Sequence, residues 1–131
     1  MIEMKYFIGF LILCIISVFC CFGKTDLINR IEESLSKSGS TIRVHSESPG
    51  LSSVTIIRAY ISSDQFAIIM KNECFKLIDN KSDEPGWYSP HPSLSWWIPP
   101  ELSARYIAVN GGVKVIASWE KGSAYFNQVI D

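Results

Sequence analysis

The sequence predicts an α+β fold, with one N-terminal helix packed on a curved antiparallel sheet of about six to seven strands in two meanders. Helical periodicity is confined to a segment near the N terminus, and the rest of the chain consists of short β-rich runs bounded by turn residues. Several runs are apolar on both faces, which is typical of a sheet covered on both sides. A helix of about 12 residues is about 18 Å long. The sheet must therefore curl strongly, or a loop or a partner must cover its second face.

The helix is predicted in TDLINRIEESLSKSG, residues 25–39. Asp26, or Thr25 before it, is a suitable N-cap, and Gly39 can adopt the left-handed conformation that ends a helix. The apolar side chains of this segment recur at helical spacing and share one face: Leu27, Ile28, Ile31 and Leu35.

A first meander of four strands is predicted after the helix, in TIRVHSE, LSSVTIIRAYI, FAIIMK and CFKLI. Turn residues separate these runs at 48–50, 62–64 and 72–73. In the second run, alternation divides the apolar residues into two sets that face opposite ways: Ile57, Ala59 and Ile61 in one set, Val54, Ile56 and Tyr60 in the other.

A second meander is predicted at the C terminus, in ARYIAV, VKVIASW and SAYFNQVI. Asn110-Gly111 between the first two runs is a strong hairpin signal, and Lys121-Gly122 separates the last two.

Residues 1–23 are predicted to form a signal peptide, because residues 6–22 are almost wholly apolar and Lys5 precedes them. Small residues near Gly23 favour cleavage before Lys24. The apolar run is near the lower limit for a membrane-spanning helix, so a retained anchor is the alternative. We therefore expect an exported protein, periplasmic or extracellular, or else membrane-anchored through residues 6–22 if the leader is uncleaved.

The remaining chain, residues 24–131, has a length that suits a single α+β domain. A formal net charge of −1, with no block of basic residues, argues against nucleic acid or anionic lipid as the main partner. Acylation of Cys20 or Cys21 would make the chain a lipoprotein, but neither is preceded by the usual small residue. Cleavage would leave Cys74 as the only cysteine, so we expect no intramolecular disulfide and a buried, inert thiol.

The two predicted meanders are joined by an unusual stretch, here named the Trp/Pro segment (residues 79–101). It contains five of the six prolines in the chain and three of the four tryptophans. Prolines that follow Ile98 and Pro99 favour extended backbone, so Trp96 and Trp97 are expected to point to opposite sides.

Three interpretations of the Trp/Pro segment remain open. It can fold over one sheet face, with one tryptophan beneath it and the other under the helix. It can instead expose aromatic residues as anchors for a protein partner, or stack them on a sugar or another small ligand. The candidate binding residues are Trp87, Tyr88, His91, Trp96 and Trp97.

The sequence offers little support for catalysis or for a cofactor. His45 and His91 lack the spacing of a metal site, and no catalytic or nucleotide-binding motif is present. The acidic residues near Lys81 lack the spacing of a calcium loop, and Asn80-Lys81-Ser82 has the form of a glycosylation acceptor. No metal, cofactor or catalytic residue is therefore expected.

The function expected from the sequence is that of a small, exported, non-catalytic binding protein of the cell envelope. Such a protein would occupy or neutralise a protein partner, as an inhibitor or immunity protein does. Two alternatives stay open. One is a small envelope hydrolase or ligand-binding enzyme that uses His91 and nearby carboxylates. The other is a self-associating structural module that forms a homodimer through an uncovered sheet face or through an edge strand at 123–130.

Overall fold

The computed structural model describes residues 26–79 and 86–130. This part of the chain forms two helices and six strands, in an antiparallel sheet of order β1-β2-β6-β5-β4-β3. In chain order the elements are α1 (Leu27–Lys37), β1 (Thr41–Glu47), β2 (Ser53–Tyr60), α2 (Ser63–Asn72), β3 (Lys76–Leu77), β4 (Arg105–Asn110), β5 (Val113–Glu120) and β6 (Ser123–Ile130). The α+β prediction is confirmed, with six strands and a second helix.

The predicted leader lies outside the described residues, and so do its cleavage position, Cys20 and Cys21. The same holds for the glycosylation acceptor at 80–82 and the acidic residues beside it. Within the described ranges, neither helix is long and apolar enough to cross a membrane.

Helix α1 forms where the sequence predicts it. The side chain of Asp26 accepts a hydrogen bond from the Ile28 amide, and Gly39 follows the helix with a φ of 77°. The four apolar residues of its predicted face are all buried: Leu27, Ile28, Ile31 and Leu35. The buried side chain of Gln128 on β6 adds a second acceptor for the Ile28 amide, at 3.4 Å.

Helix α2 contradicts the prediction of a strand in FAIIMK. Ser62 and Gln65 form a complete capping box, in which each side chain binds the backbone N–H of the other residue. Phe66 and Met70, four residues apart, are both buried, as one helical face requires. The run FAIIMK resembles a buried strand because apolar residues occupy both its odd and its even positions, whereas the capping box before it specifies a helix.

The strand order also contradicts part of the predicted topology. The second meander is correct, because β4, β5 and β6 pair in sequence through the turns at 111–112 and 121–122. The first meander is correct for its β1–β2 pair and wrong beyond it, because β2 pairs with β6 and not with β3. Strand β6 therefore lies in the middle of the sheet, and the proposed dimer edge at 123–130 does not exist.

Both faces of the sheet are covered. Helices α1 and α2 pack on one face, where Ile57, Ala59 and Phe126 belong to the larger core. Val54, Ile56 and Tyr125 belong to a second core on the opposite face. The predicted division of the β2 side chains between the two faces is thus confirmed.

Cys74 departs from its predicted state. The residue is exposed, has a φ of 58° just after α2, and is disulfide-bonded. No other cysteine lies among the described residues. The expectation of a buried, inert thiol is therefore wrong. The expectation of no intramolecular disulfide applies to a chain cleaved before Lys24 and stays a prediction.

Candidate functional site

Residues 86–101 of the Trp/Pro segment cover the second face of the sheet. Trp97 is buried against Tyr125, Val54 and Ile56, and the partly buried residues around it complete this core: Trp87, Tyr88, Leu94, Trp96 and Val129. The interpretation in which the segment folds over a sheet face is therefore correct. The expectation that the other tryptophan lies under the helix is wrong. Both helices lie on the other face, and no tryptophan of the described part of the segment packs in their core.

Trp96 lies in a turn and not in the extended backbone that the sequence predicts. The Trp97 amide donates a hydrogen bond to the Leu94 carbonyl at 3.1 Å, which closes a turn across Ser95 and Trp96. The turn brings the two indole rings to 6.3 Å, nearly perpendicular, so that both contact the same core. The pre-proline preference acts only on Ile98 and Pro99, and the turn ends before it applies.

Trp97 is the anchor of the segment. Its side chain is 7% exposed, and its ring meets Tyr125 and Trp87 edge to face at 5.7 and 5.9 Å. Its indole N–H donates to the Tyr88 carbonyl at 2.8 Å. Trp96 is only partly buried, so it is the more exposed of the pair.

Arg58 on β2 fastens the same turn to the sheet. Its guanidinium donates to the Trp96 carbonyl at 3.0 Å and to the Ser123 hydroxyl at 3.2 Å. The group also lies 4.9 Å from the ring centre of Tyr60 and 5.2 Å from that of Tyr125. Burial raises the pKa of the Tyr125 phenol above its ordinary value, while the Arg58 charge acts in the opposite direction.

Tyr88 attaches the beginning of the segment at two points. Its amide donates to the side-chain oxygen of Asn127 at 2.9 Å, and its hydroxyl donates to the Glu47 carboxylate on β1. The second carboxylate oxygen of Glu47 lies 3.3 Å from Nε2 of His45. Asn127 is fully buried, and its Nδ2 has no hydrogen-bond partner in the described part of the chain.

Between the two ends of the segment lies a groove of about 690 Å³, here named the aromatic groove. Its walls combine apolar and polar groups in about equal measure. The apolar part includes Trp87, Tyr88, Pro90, Leu94, Trp97 and Pro99, and the polar part includes Ser89, Ser93, Glu101 and Arg105. The Trp87 indole N–H donates to the Pro100 carbonyl, and that of Trp97 is also occupied. The tryptophans therefore offer the groove only apolar ring surface.

Arg105 on β4 places a positively charged guanidinium in the lining of the groove. It is 9% exposed, and its guanidinium lies 5.3 Å from the ring centre of Trp87 and 3.4 Å from the Glu101 carbonyl. The stacking fixes the indole of Trp87 against the sheet. Glu101 is exposed and also borders the groove.

Two aliphatic side chains border the groove but remain in solvent. Ile98 is 63% exposed and Leu102 is 97% exposed. These two residues are here named the groove rim.

The predicted site residues are thus only partly brought together. Trp87, Tyr88 and Trp97 line the groove, and Trp96 packs beside them. His91 is exposed, precedes a cis peptide bond to Pro92, and does not line the groove. Within residues 26–79 and 86–130, no carboxylate makes a hydrogen bond or ion pair with it, so the hydrolase hypothesis gains no support and stays a prediction.

No group of three or more His, Cys, Asp or Glu side chains in the described ranges is arranged to hold a metal ion.

Sequence reasoning missed the polar residues that fix the Trp/Pro segment, above all Arg58, Arg105 and Asn127. A usable signal was present at Arg58, which interrupts an otherwise apolar strand run. A cation in an apolar strand is stable when the segment that covers it supplies ring faces and carbonyl acceptors for its charge and its N–H groups.

Comparison of the chain with protein-family models, with curated proteins and with solved structures finds no match.

Proposed function

We propose that this chain is a non-catalytic binding protein of the cell envelope, and that it occupies a protein partner through the aromatic groove. The observation that carries the proposal is the exposure of Ile98 and Leu102 beside the groove. Two large aliphatic side chains in solvent next to an aromatic recess form the kind of patch that marks an interaction surface.

The partner is expected to insert an apolar side chain. Both tryptophan N–H groups are already bonded to backbone carbonyls, so the walls offer ring faces to an aliphatic or aromatic anchor. A small ligand could fill the recess but would leave the groove rim in water. A protein surface covers both, which favours a protein over a sugar or a metabolite.

The surface is held in place before any partner arrives. Trp97 packs against Tyr125, Arg58 holds the Trp96 carbonyl, and Tyr88 is tied to Asn127. A recognition loop fixed in this way loses little conformational freedom on binding, which favours affinity. A long irregular segment with this many anchors to the sheet suits a preformed binding surface.

Replacing the aliphatic side chains of the groove rim by carboxylates tests the proposal. The full-length chain and its Leu102→Asp and Ile98→Asp variants are used as bait in the native envelope, and the captured protein is then purified and titrated. A partner that binds the parent should lose at least about tenfold in affinity with either variant, because a carboxylate replaces a buried aliphatic contact.

Leu51→Asp is the matched control, because Leu51 is fully exposed in the β1–β2 turn and does not line the aromatic groove. It should bind as the parent does. Equal binding by all four proteins would remove the aromatic groove as the recognition surface.

A further inference from the structure

Strand β1 is the long free margin of the sheet. It pairs with β2 over seven residues in unbroken register, whereas the opposite margin, β3, has only two residues. Among the described residues, no backbone hydrogen bond reaches β1 from outside this pairing. The strand contains no proline, and its free backbone groups form a template for another strand.

The charged side chains of β1 follow an ordered pattern. Arg43, His45 and Glu47 alternate along one face of the strand, the face that carries the Trp/Pro segment. They place a cation near one end of the row and a carboxylate at the other. Two copies of such a strand are complementary in charge when they run antiparallel to each other.

Arg43 is a cation of β1 that lacks an adjacent carboxylate within the described ranges. It is exposed, it has no ion-pair partner within the described ranges, and its register partner on β2 is another cation, Arg58. Like charges directly opposite each other destabilise a strand pair. A carboxylate brought to the free side of β1 would offset this repulsion.

We propose that two copies of this chain pair their β1 strands antiparallel, about a two-fold axis at His45. Arg43 of each copy then lies directly opposite Glu47 of the other, and Val44 lies opposite Ser46. The interface is closed and isologous, so it yields a dimer and no longer assembly. The two six-stranded sheets become one, and the Trp/Pro segments of both copies lie on the same side.

A second copy fits this margin better than an unrelated strand does. When β1 pairs with a reversed copy of itself, a cation meets a carboxylate at two positions, Arg43 opposite Glu47 and Glu47 opposite Arg43. The pairing meets the aromatic groove at one point only, because Glu47 also accepts the hydrogen bond of the Tyr88 hydroxyl, and no groove residue lies in β1 itself. A dimer would nevertheless present two grooves to a partner from one side.

Sedimentation velocity of the full-length chain, in a mild detergent and over a hundredfold range of concentration, tests the pairing. The mass should rise from one chain toward two as concentration increases. Arg43→Glu and Glu47→Arg should each remain at the mass of one chain throughout. An equimolar mixture of the two variants should recover the doubled mass, because opposite charges again meet at both pairs.

Lys114→Glu is the matched control, since it makes the same charge change at an exposed strand position away from β1, and it should dimerise as the parent does. Circular dichroism establishes that each variant is folded. Arg43→Glu is decisive if Glu47→Arg misfolds, because Arg43 takes no part in holding the Trp/Pro segment. One-chain mass for the parent at every concentration, or a doubled mass that survives Arg43→Glu, would overturn the proposal.

Discussion

Replacing Trp97 by alanine should remove most of the stability of the second core. The side chain is 7% exposed and makes edge-to-face contacts with two further rings, so truncation creates a large cavity in a packed region. Loss of a buried tryptophan side chain typically costs about 3–5 kcal/mol. The Tyr88 carbonyl also loses its donor, and a buried acceptor left without a donor costs about 1–3 kcal/mol.

The assay is urea unfolding followed by far-ultraviolet circular dichroism, with Trp96→Ala as the matched control. Trp96 is the same residue type one position away, but it is only partly buried and its carbonyl bond to Arg58 survives truncation. We expect a cost of about 1–2 kcal/mol for Trp96→Ala, within the ordinary range for single substitutions. A loss below about 1 kcal/mol for Trp97→Ala, or equal losses for the two variants, would refute the assignment of Trp97 as the anchor.

Three further outcomes are expected. Ser62→Ala should lower the free energy of unfolding by about 1 kcal/mol in the urea assay, because it removes the cap bond to the Gln65 amide; an unchanged midpoint would contradict the capping box. Burial raises the Tyr125 pKa, so its contribution to stability is complete below about pH 10 and is lost as pH rises through the folded pKa. Unfolding measured from pH 9 to 12 should therefore show a smaller decline for Tyr125→Phe than for the parent, and equal declines would contradict this. Finally, Cys74 of the unreduced full-length chain should resist a maleimide and react only after reduction, as mass spectrometry of its peptide would show; labelling without reduction would contradict the disulfide.

Local sequence signals predicted the elements whose contacts are themselves local. Helix α1 follows from a cap at Asp26, a four-residue apolar face and Gly39, all within 14 residues of chain. The β4–β5 hairpin follows from Asn110-Gly111, because such a turn sets the register of its own strands. The two-sided apolar pattern of β2 correctly indicated a sheet with cover on both faces.

What could not be predicted depends on contacts between distant parts of the chain. Strand β6 pairs with β2 from Ser53↔Ile130 to Tyr60↔Ser123, and no local pattern specifies that choice of neighbour. The turn at Trp96 depends on Arg58, which lies 38 residues earlier and holds its carbonyl. The pre-proline preference restricts only Ile98 and Pro99, and at Trp96 a tertiary hydrogen bond and ring packing determine the backbone instead.

The direct test of the central claim is site-specific photocrosslinking at the groove rim. Benzoylphenylalanine is placed at position 102 of the full-length chain, and at position 51 in a control chain, and both are irradiated in the native envelope. The proposed function predicts one protein adduct of defined mass from position 102 and none from position 51. The absence of an adduct at position 102, or the same adduct from both positions, would contradict the aromatic groove as the binding surface.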